Sequence, residues 1–234
     1  MISHHIIRGC ITIAVILLVL VFKDAAAQSF NVDVGGAYLG EAPDETFAAG
    51  GQAGYWNLLG SSDDPSETAL RDLTGQLTAV TAISVRSTAD LQGDLGRLFR
   101  GRADSEARLL GDYLVFLREL QFLGLDPGHY RVTVYAAGHA GEPYPGTVEA
   151  RGVTTEAITL AGVYRTSTGL VDGSTHASAI VAVDDSGLLR ILTDRANDHF
   201  LNGVQIELVP EPGMLGLVVV VGASFLCWRG RRVF

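Results

Sequence analysis

The sequence predicts an all-β protein, in which an antiparallel β-sandwich of jelly-roll type lies between an N-terminal signal peptide and a short C-terminal transmembrane helix. Three observations predict the sandwich: short runs of alternating apolar residues recur, turns rich in glycine, aspartate and proline separate them, and helical periodicity is nearly absent. This spacing is typical of sandwiches. Because no internal repeat of fixed period occurs, residues 28–208 are expected to form one domain.

The expected strands are short and follow one another closely. The first, over residues 29–34, alternates apolar and polar side chains, which indicates one buried and one exposed face. The stretch 124–128 gives a strong turn signal, because it combines two glycines, an aspartate and a proline. Strands are expected at residues 29–34, 70–73, 77–85, 113–122, 130–135, 148–153, 157–160, 163–168, 177–183, 188–193 and 204–208.

One short helix is expected over residues 104–110, next to the part of the chain where the strand pattern is weakest. Asp104 or Ser105 would cap its first turn, and Leu109 and Leu110 would face inward. The arginines around this helix are interspersed with acidic residues. A solvated surface is therefore expected there, in preference to an anion site.

The domain is acidic and contains no lysine. In residues 28–208, 12 arginines stand against 24 aspartates and glutamates, which gives a formal net charge of −12. Such a domain repels phosphates, so nucleic acid and anionic lipid are poor candidates as partners. Both cysteines, Cys10 and Cys227, lie in the terminal segments. The domain therefore has neither a disulfide nor a cysteine nucleophile.

The first 27 residues contain the three parts of a secretory signal peptide. Arg8 supplies positive charge, residues 10–22 form an apolar core, and the small residues Ala25 and Ala27 precede the expected cleavage site. Gln28 would then be the first residue of the mature chain. Export by the Sec machinery follows from this interpretation, and an uncleaved anchor is the alternative.

Residues 209–234 combine a proline-containing hinge, an apolar run and a basic end. The run 214–228, if helical, rises about 22 Å at about 1.5 Å per residue, which is less than the roughly 30 Å of a bilayer core. The helix is therefore short for a permanent membrane span. Pro212 suits its first turn. The arginines after the run would remain cytoplasmic; they are Arg229, Arg231 and Arg232.

This three-part tail resembles the PEP-CTERM sorting signal of Gram-negative and related bacteria. The residues that match the motif are Pro210, Glu211 and Pro212, with Val209 before them. The resemblance implies that an exosortase, a membrane-embedded cysteine protease or transpeptidase, recognises the motif and processes the chain. The helix would then be a transient anchor. An ordinary C-terminal membrane anchor with a proline-rich hinge is the alternative.

Short motifs at strand ends and turns carry a second resemblance, over nearly the whole domain. They are Phe30-Asn31-Val32-Asp33, Tyr55-Trp56-Asn57, Gly111-Asp112-Tyr113-Leu114, Gly124-Leu125-x-Pro127-Gly128-x-Tyr130-x-Val132-x-Val134-Tyr135 and Leu201-Asn202-Gly203-Val204-Gln205-Ile206. With them the domain resembles the jelly-roll ectodomains of PEP-CTERM proteins, which are similar to galactose-binding-like carbohydrate-binding modules. The resemblance implies a fold more than an activity.

No catalytic constellation is recognisable in the sequence. It has neither a Gly-x-Ser-x-Gly elbow nor a His-Glu-x-x-His motif. The carboxylates are plentiful, but a glycosidase pair cannot be identified from abundance. The histidines His129, His139, His176 and His199 are expected in solvent-exposed loops. No cofactor is expected; calcium at Asp63-Asp64 or Asp184-Asp185 is a weaker alternative to turns stabilised by aspartate hydrogen bonds.

Tyr55, Trp56 and Asn57 are the candidate ligand-binding residues. Sugars stack on aromatic faces and amides bond their hydroxyl groups, so this tripeptide has the chemistry of a carbohydrate site. Trp56 is the only tryptophan of the domain, and a core position is its alternative.

The sequence thus predicts an exported, non-catalytic protein of the cell envelope, cell surface or extracellular matrix. Its expected partners are the Sec machinery and an exosortase, with membrane contact through the C-terminal helix before processing. A carbohydrate-binding module for an extracellular polysaccharide is the first alternative. A polysaccharide-degrading enzyme is the second.

Overall fold

The computed structural model describes residues 28–34, 42–59, 67–86, 92–94, 104–114, 117–136, 145–165, 167–193 and 201–210. These residues contain one helix, α1 (Ser105–Leu110), and thirteen strands. The strands are β1 (Phe30–Val34), β2 (Trp56–Leu59), β3 (Glu67–Arg71), β4 (Leu77–Arg86), β5 (Gln92–Asp94), β6 (Asp112–Leu114), β7 (Leu117–Leu123), β8 (Gly128–Tyr135), β9 (Gly146–Arg151), β10 (Thr155–Leu160), β11 (His176–Val183), β12 (Leu189–Thr193) and β13 (Gly203–Val209).

The strands of the described residues form two main sheets that pack face to face. The five-stranded sheet has the order β11-β8-β13-β1-β2, the six-stranded sheet has the order β10-β9-β12-β7-β4-β3, and β5 pairs with β6 separately. The neighbouring strands are antiparallel, except that β1 and β2 are parallel. The predicted antiparallel β-sandwich is confirmed.

The main core lies between the two sheets, where alternate positions of each strand face inward. Phe30, Val132 and Ile206 reach it from the five-stranded sheet, and Phe122 and Ile191 reach it from the six-stranded sheet; all five are fully buried. Full burial of one such side chain contributes about 1.5–3 kcal/mol. This alternation of buried and outward residues is what the periodic pattern of the sequence indicates.

A second apolar cluster lies on the outer face of the five-stranded sheet. Trp56 and Tyr135 extend from that face and pack against α1. The other members of the cluster are Ala42, Phe47, Ala49, Tyr164 and Leu170. The sheet is thus covered on both faces at this place. Every residue of β1 is consequently buried, so the exposed face expected for it is corrected.

The two ends of the described domain lie at the same end of the sandwich. β1 begins opposite Ile206 of the antiparallel strand β13. The backbone N–H of Leu208 donates to the hydroxyl of Ser29 at 3.3 Å. β13 ends at Val209, so the chain enters β1 and leaves β13 at the same end of the sandwich.

Some elements differ from those expected from the sequence. Residues 113–122 contribute to two strands, β6 and β7, instead of one. Of the expected strand 70–73, only residues 70 and 71 belong to β3, which begins earlier at Glu67; residues 72 and 73 lie in the following turn. The described residues of 163–168 form no strand; Arg165 pairs with Gly169 in an isolated bridge. No strand was expected at β2 or at β5.

Several predictions concern residues outside the described ranges, and they remain predictions. They are the signal-peptide residues Ala25 and Ala27, the tail residues Glu211, Pro212, Arg229, Arg231 and Arg232, the aspartates Asp63 and Asp64, and the histidines His139 and His199. Within the described part of the chain, no helix has the length and apolar character that a membrane crossing requires.

Candidate functional site

A groove opens where an edge of one sheet meets an edge of the other. β2 is the outermost strand of the five-stranded sheet, and β3 is the outermost strand of the six-stranded sheet. The groove has a volume of about 500 Å³, and all three candidate ligand-binding residues line it. The residues around it are Ala42, Pro43, Asp44, Glu45, Tyr55, Trp56, Asn57, Leu58, Thr68, Ala69 and Arg71.

Tyr55 is the candidate residue with the most accessible ring. It is half-buried, and its backbone N–H is fixed by the carbonyl of Leu73 at 2.9 Å. The guanidinium carbon of Arg71 lies 5.9 Å from the centroid of the Tyr55 ring, and Arg71 Nη1 donates to the carbonyl of Gly75 at 2.8 Å. A planar cation next to an aromatic ring gives this wall both stacking and hydrogen-bonding capacity.

Trp56 is a core residue. It is 2% exposed, and its indole N–H donates to the carbonyl of Phe47 at 3.2 Å. Its ring centroid lies 6.2 Å from that of Phe47 and 6.4 Å from that of Tyr135. Because neighbouring side chains enclose the ring, Trp56 lies beneath the groove, and little of its ring surface is available for stacking on a sugar.

Asn57 joins the two sheets. It is 6% exposed, and its Nδ2 donates to the carbonyls of Asn31 at 3.0 Å and Arg71 at 2.8 Å. Its Oδ1 accepts from the backbone N–H of Arg71 at 2.8 Å. The carboxamide therefore pairs with β3 as the peptide group of a neighbouring strand would. Both of its donors are in use, which leaves it little to offer a ligand.

The opposite wall of the groove is acidic and is held by α1. The hydroxyl of Ser105 donates to Asp44 Oδ2 at 2.8 Å and accepts from the backbone N–H of Asp44 at 2.9 Å. Arg108 Nη1 lies 3.6 Å from Asp44 Oδ1. Asp104 caps α1 by accepting a first-turn backbone N–H at 3.0 Å, which confirms the predicted cap. Glu45 is exposed beside them.

A hydrogen-bonded network holds the segment 42–54 against the five-stranded sheet. The Tyr135 hydroxyl accepts from the N–H of Gly50 at 2.8 Å and donates to Gln205 Oε1 at 2.5 Å. Gln205 Nε2 donates to Asn31 Oδ1 at 3.0 Å and to the carbonyl of Gln52 at 2.7 Å. Burial raises the pKa of Tyr135, so the group remains a neutral hydroxyl.

His176 lies under the same segment, and the expectation of a solvent-exposed loop histidine is wrong for it. It is the first residue of β11, and its ring stacks on Tyr135 with centroids 5.6 Å apart. Its Nδ1 is buried without a hydrogen-bond partner among the described residues. Burial lowers the pKa of His176, although Asp172 opposes the shift. His129 is also in a strand, β8, with an exposed side chain.

Other charged groups have structural roles. Arg190 makes a two-point ion pair with Glu119, one contact being 2.8 Å between Nη2 and Oε2, and this bond lowers the pKa of Glu119. Asp184 Oδ1 accepts from the N–H of Ser186 at 3.0 Å and from its hydroxyl at 2.6 Å. This is the Asp184-Asp185 turn, where aspartate hydrogen bonds were expected in preference to a calcium site. The described ranges contain no cluster of three His, Cys, Asp or Glu side chains suited to a metal.

The sequence located part of the groove but not its charged neighbours. Tyr55 attracted attention through its chemistry, whereas Glu45 and Arg71 carry no local signal. Arg71 meets Tyr55 because the edges of β2 and β3 adjoin, whereas Glu45 reaches the groove on the segment 42–54. That adjacency is a property of the topology, which no short motif records.

The chain is similar to several solved structures at low identity. Bacteroides uniformis beta-glucuronidase is 13% identical over 78% of this chain and 18% of that chain, with a TM-score of 0.45. The plant receptor-like kinase ANX2 is 12% identical over 78% and 48%, with a TM-score of 0.43. CBM35 from Paenibacillus barcinonensis is 18% identical over 56% and 94%, with a TM-score of 0.32.

These similarities assign neither a family nor an activity. Their TM-scores are below 0.5, and the chain corresponds to less than a fifth of the glucuronidase. No protein-family model and no curated protein matches the chain.

Proposed function

We propose that the chain is an exported, non-catalytic β-sandwich of the cell envelope or extracellular matrix, processed at its C-terminal hinge by an exosortase. The supporting observation is that β13 and its backbone pairing end at Val209. Pro210 follows at once, is exposed, and opens the Pro-Glu-Pro sequence. The proposed hinge therefore begins directly after the last strand of the described residues. Removal of the tail would leave every pair of β13 intact.

Expression of the full chain in strains with and without a matching exosortase tests this proposal. With the enzyme, the chain is expected to lose its tail and leave the membrane fraction. Without it, the full-length chain is expected to remain in the membrane fraction. Replacement of Glu211 by alanine should give the second result in both strains. Full-length wild-type protein in both strains would overturn the proposal.

A second proposed function, recognition of an extracellular polysaccharide, is favoured by the groove. Tyr55 supplies an aromatic face, Arg71 supplies hydrogen-bond donors, and the exposed carboxylate of Glu45 accepts hydrogen bonds. An apolar face with a few polar groups around it suits a sugar ring. The net charge of −12 over residues 28–208 favours a neutral polymer over a strongly anionic one.

Electrophoresis through gels that contain neutral polysaccharides tests the groove. The wild type is expected to be retarded, Tyr55→Phe to be retarded as well because the ring remains, and Tyr55→Ala to migrate freely. Trp56→Ala is a poor test, because it removes a core side chain. Equal retardation of all three proteins would place binding elsewhere. Absence of retardation of the wild type on every polysaccharide would overturn the function.

A further inference from the structure

Gln28 is held at the point where the sandwich begins. Ser29 is buried and accepts a hydrogen bond from the N–H of Leu208 at 3.3 Å, and β1 starts at Phe30. Gln28 itself is half-buried. An exported chain that starts at Gln28 therefore keeps its first residue against the folded domain.

The carboxamide oxygen of Gln28 faces the turn between β7 and β8. Gln28 Oε1 accepts from the backbone N–H of Asp126 at 3.2 Å and lies 3.5 Å from the hydroxyl oxygen of Tyr130. The hydroxyl of Tyr130 donates to the carbonyl of Asp126 at 2.8 Å, which fixes this turn. Nε2 of Gln28 makes no hydrogen bond within the described residues. The oxygen is thus anchored, whereas the amide nitrogen bonds to no described residue.

We propose that Gln28 cyclises to pyroglutamate once signal peptidase has freed its α-amine, and that the backbone N–H of Asp126 supports the step. The inference rests on the export and on the cleavage after Ala27 described above. The α-amino nitrogen attacks Cδ, so that an N–Cδ bond forms and the Cδ–Nε2 bond breaks. One amine proton passes to Nε2, which leaves as ammonia. The reaction needs no oxidant, reductant or further reactant.

The geometry suits the charge that develops in this reaction. When the amine attacks Cδ, negative charge accumulates on Oε1, the atom to which Asp126 already donates. A donor in place before the reaction stabilises such charge without reorganisation. Tyr130 acts as a positioning residue, because its bond to the Asp126 carbonyl orients the turn.

The product changes the properties of this end of the molecule. A lactam has no ionisable amine, so the mature chain loses its N-terminal positive charge and resists aminopeptidases that require a free amine. Removal of residues from this end would reach β1, which pairs with both β13 and β2. The ring therefore protects an interior strand of the five-stranded sheet.

Mass spectrometry of the N-terminal peptide from the exported full-length protein tests the modification. The expected peptide begins at residue 28 and lacks one ammonia. A peptide that begins at Gln28 with a free amine would overturn the modification and leave export intact. A peptide that begins at another residue would overturn the cleavage site and this proposal with it. The Gln28→Asn variant, which cannot close a five-membered lactam, is expected to keep its free amine.

Rates separate the contribution of the fold from the intrinsic reactivity of a terminal glutamine. Cleavage of the purified precursor by signal peptidase starts the reaction, and a synthetic peptide of residues 28–34 provides the reference. The protein is expected to cyclise about tenfold faster, the effect of roughly one hydrogen bond. Tyr130→Phe keeps the ring and is expected to bring the rate towards that of the peptide. Equal rates in protein and peptide would overturn the role of Asp126.

Discussion

Asn57 closes one edge of the sandwich through its side chain. Its carboxamide satisfies three backbone groups, the carbonyls of Asn31 and Arg71 and the N–H of Arg71. Asn57→Leu would remove these three hydrogen bonds, each of which contributes about 1 kcal/mol. We expect the free energy of unfolding in urea to fall by about 3 kcal/mol.

The matched control for Asn57→Leu is a variant that removes an exposed hydrogen bond between neighbouring strands. Thr147→Ala removes the 3.3 Å contact with Thr159 on the surface, and we expect a change below about 0.5 kcal/mol. If Asn57→Leu unfolded at the same urea concentration as Thr147→Ala, the side-chain bridge would have no measurable part in stability.

His176 gives the folded domain a sensitivity to acid. Burial lowers its pKa in the folded state, whereas an unfolded histidine titrates near pH ~6.5. Between these two values the unfolded state binds the additional proton, so stability decreases as the pH falls below about 6.5 and is unaffected well above it. Urea unfolding at several pH values measures this. Below pH about 6.5, His176→Asn should reduce the dependence of the free energy of unfolding on pH by at most about 1.4 kcal/mol per pH unit, the limit for one proton. Equal pH dependence of the variant and the wild type would contradict the role of His176.

At the level of elements, α1 packs on the five-stranded sheet where β13 begins with a glycine. A Cβ at Gly203 would lie 2.6 Å from Leu109 Cδ1 and 3.0 Å from the carbonyl oxygen of Val32. Gly203→Ala should therefore displace α1, at a cost of about 1–3 kcal/mol. Thermal unfolding followed by tryptophan fluorescence measures it, because Trp56 belongs to the same cluster as Leu109.

A double-mutant cycle separates the two contacts of Gly203. In a Leu109→Ala background the same glycine substitution should cost less, because the closest atom has been removed. Strictly additive costs would show that the carbonyl of Val32, and not the helix, limits the space at this position.

The alternating pattern predicted the strands well and could not predict the layer that covers them. Asn31 and Gln205 occupy the polar positions of β1 and β13, which indicates an exposed face, yet they are 0% and 1% exposed. They are buried because the segment 42–54 folds over them and bonds to them. That segment is rich in small residues and has no periodicity. The pattern of one strand carries no information about a remote covering segment.

The candidate site, like the fold, could be predicted from the sequence only in part. The chemistry of Tyr55–Asn57 singled out a stretch that does line a groove. A single tryptophan does not disclose its depth, and only the packing around Trp56 shows that it is buried. The parallel pair β1–β2, which sets the position of this stretch, joins residues 25 apart in sequence, as Asn31 and Trp56 show.

At the scale of the whole molecule, β13 is the last strand of the described residues, and we expect residues 28–210 to fold without the predicted leader and tail. The last part of β13 is tied by the Arg131–Glu207 ion pair at 2.7 Å and by the bond from Leu208 to Ser29. We expect one cooperative thermal transition. The fluorescence of Trp56 measures this transition without interference, because the second tryptophan, Trp228, lies outside the fragment.

A shorter fragment, residues 28–206, is the matched control for that prediction. It lacks the pairs between the end of β13 and residues 129–131 of β8, as well as the packing of Leu208 against the main core. The exposed ion pair adds only about 0–1 kcal/mol, so most of the expected loss of about 2 kcal/mol comes from the lost strand pairs and the partial burial of Leu208. If residues 28–210 failed to fold, folding of the domain would require the leader or the tail, which would contradict the prediction. Equal stability of the two fragments would show that the domain needs no residue after Ile206, and the hinge would then begin within β13.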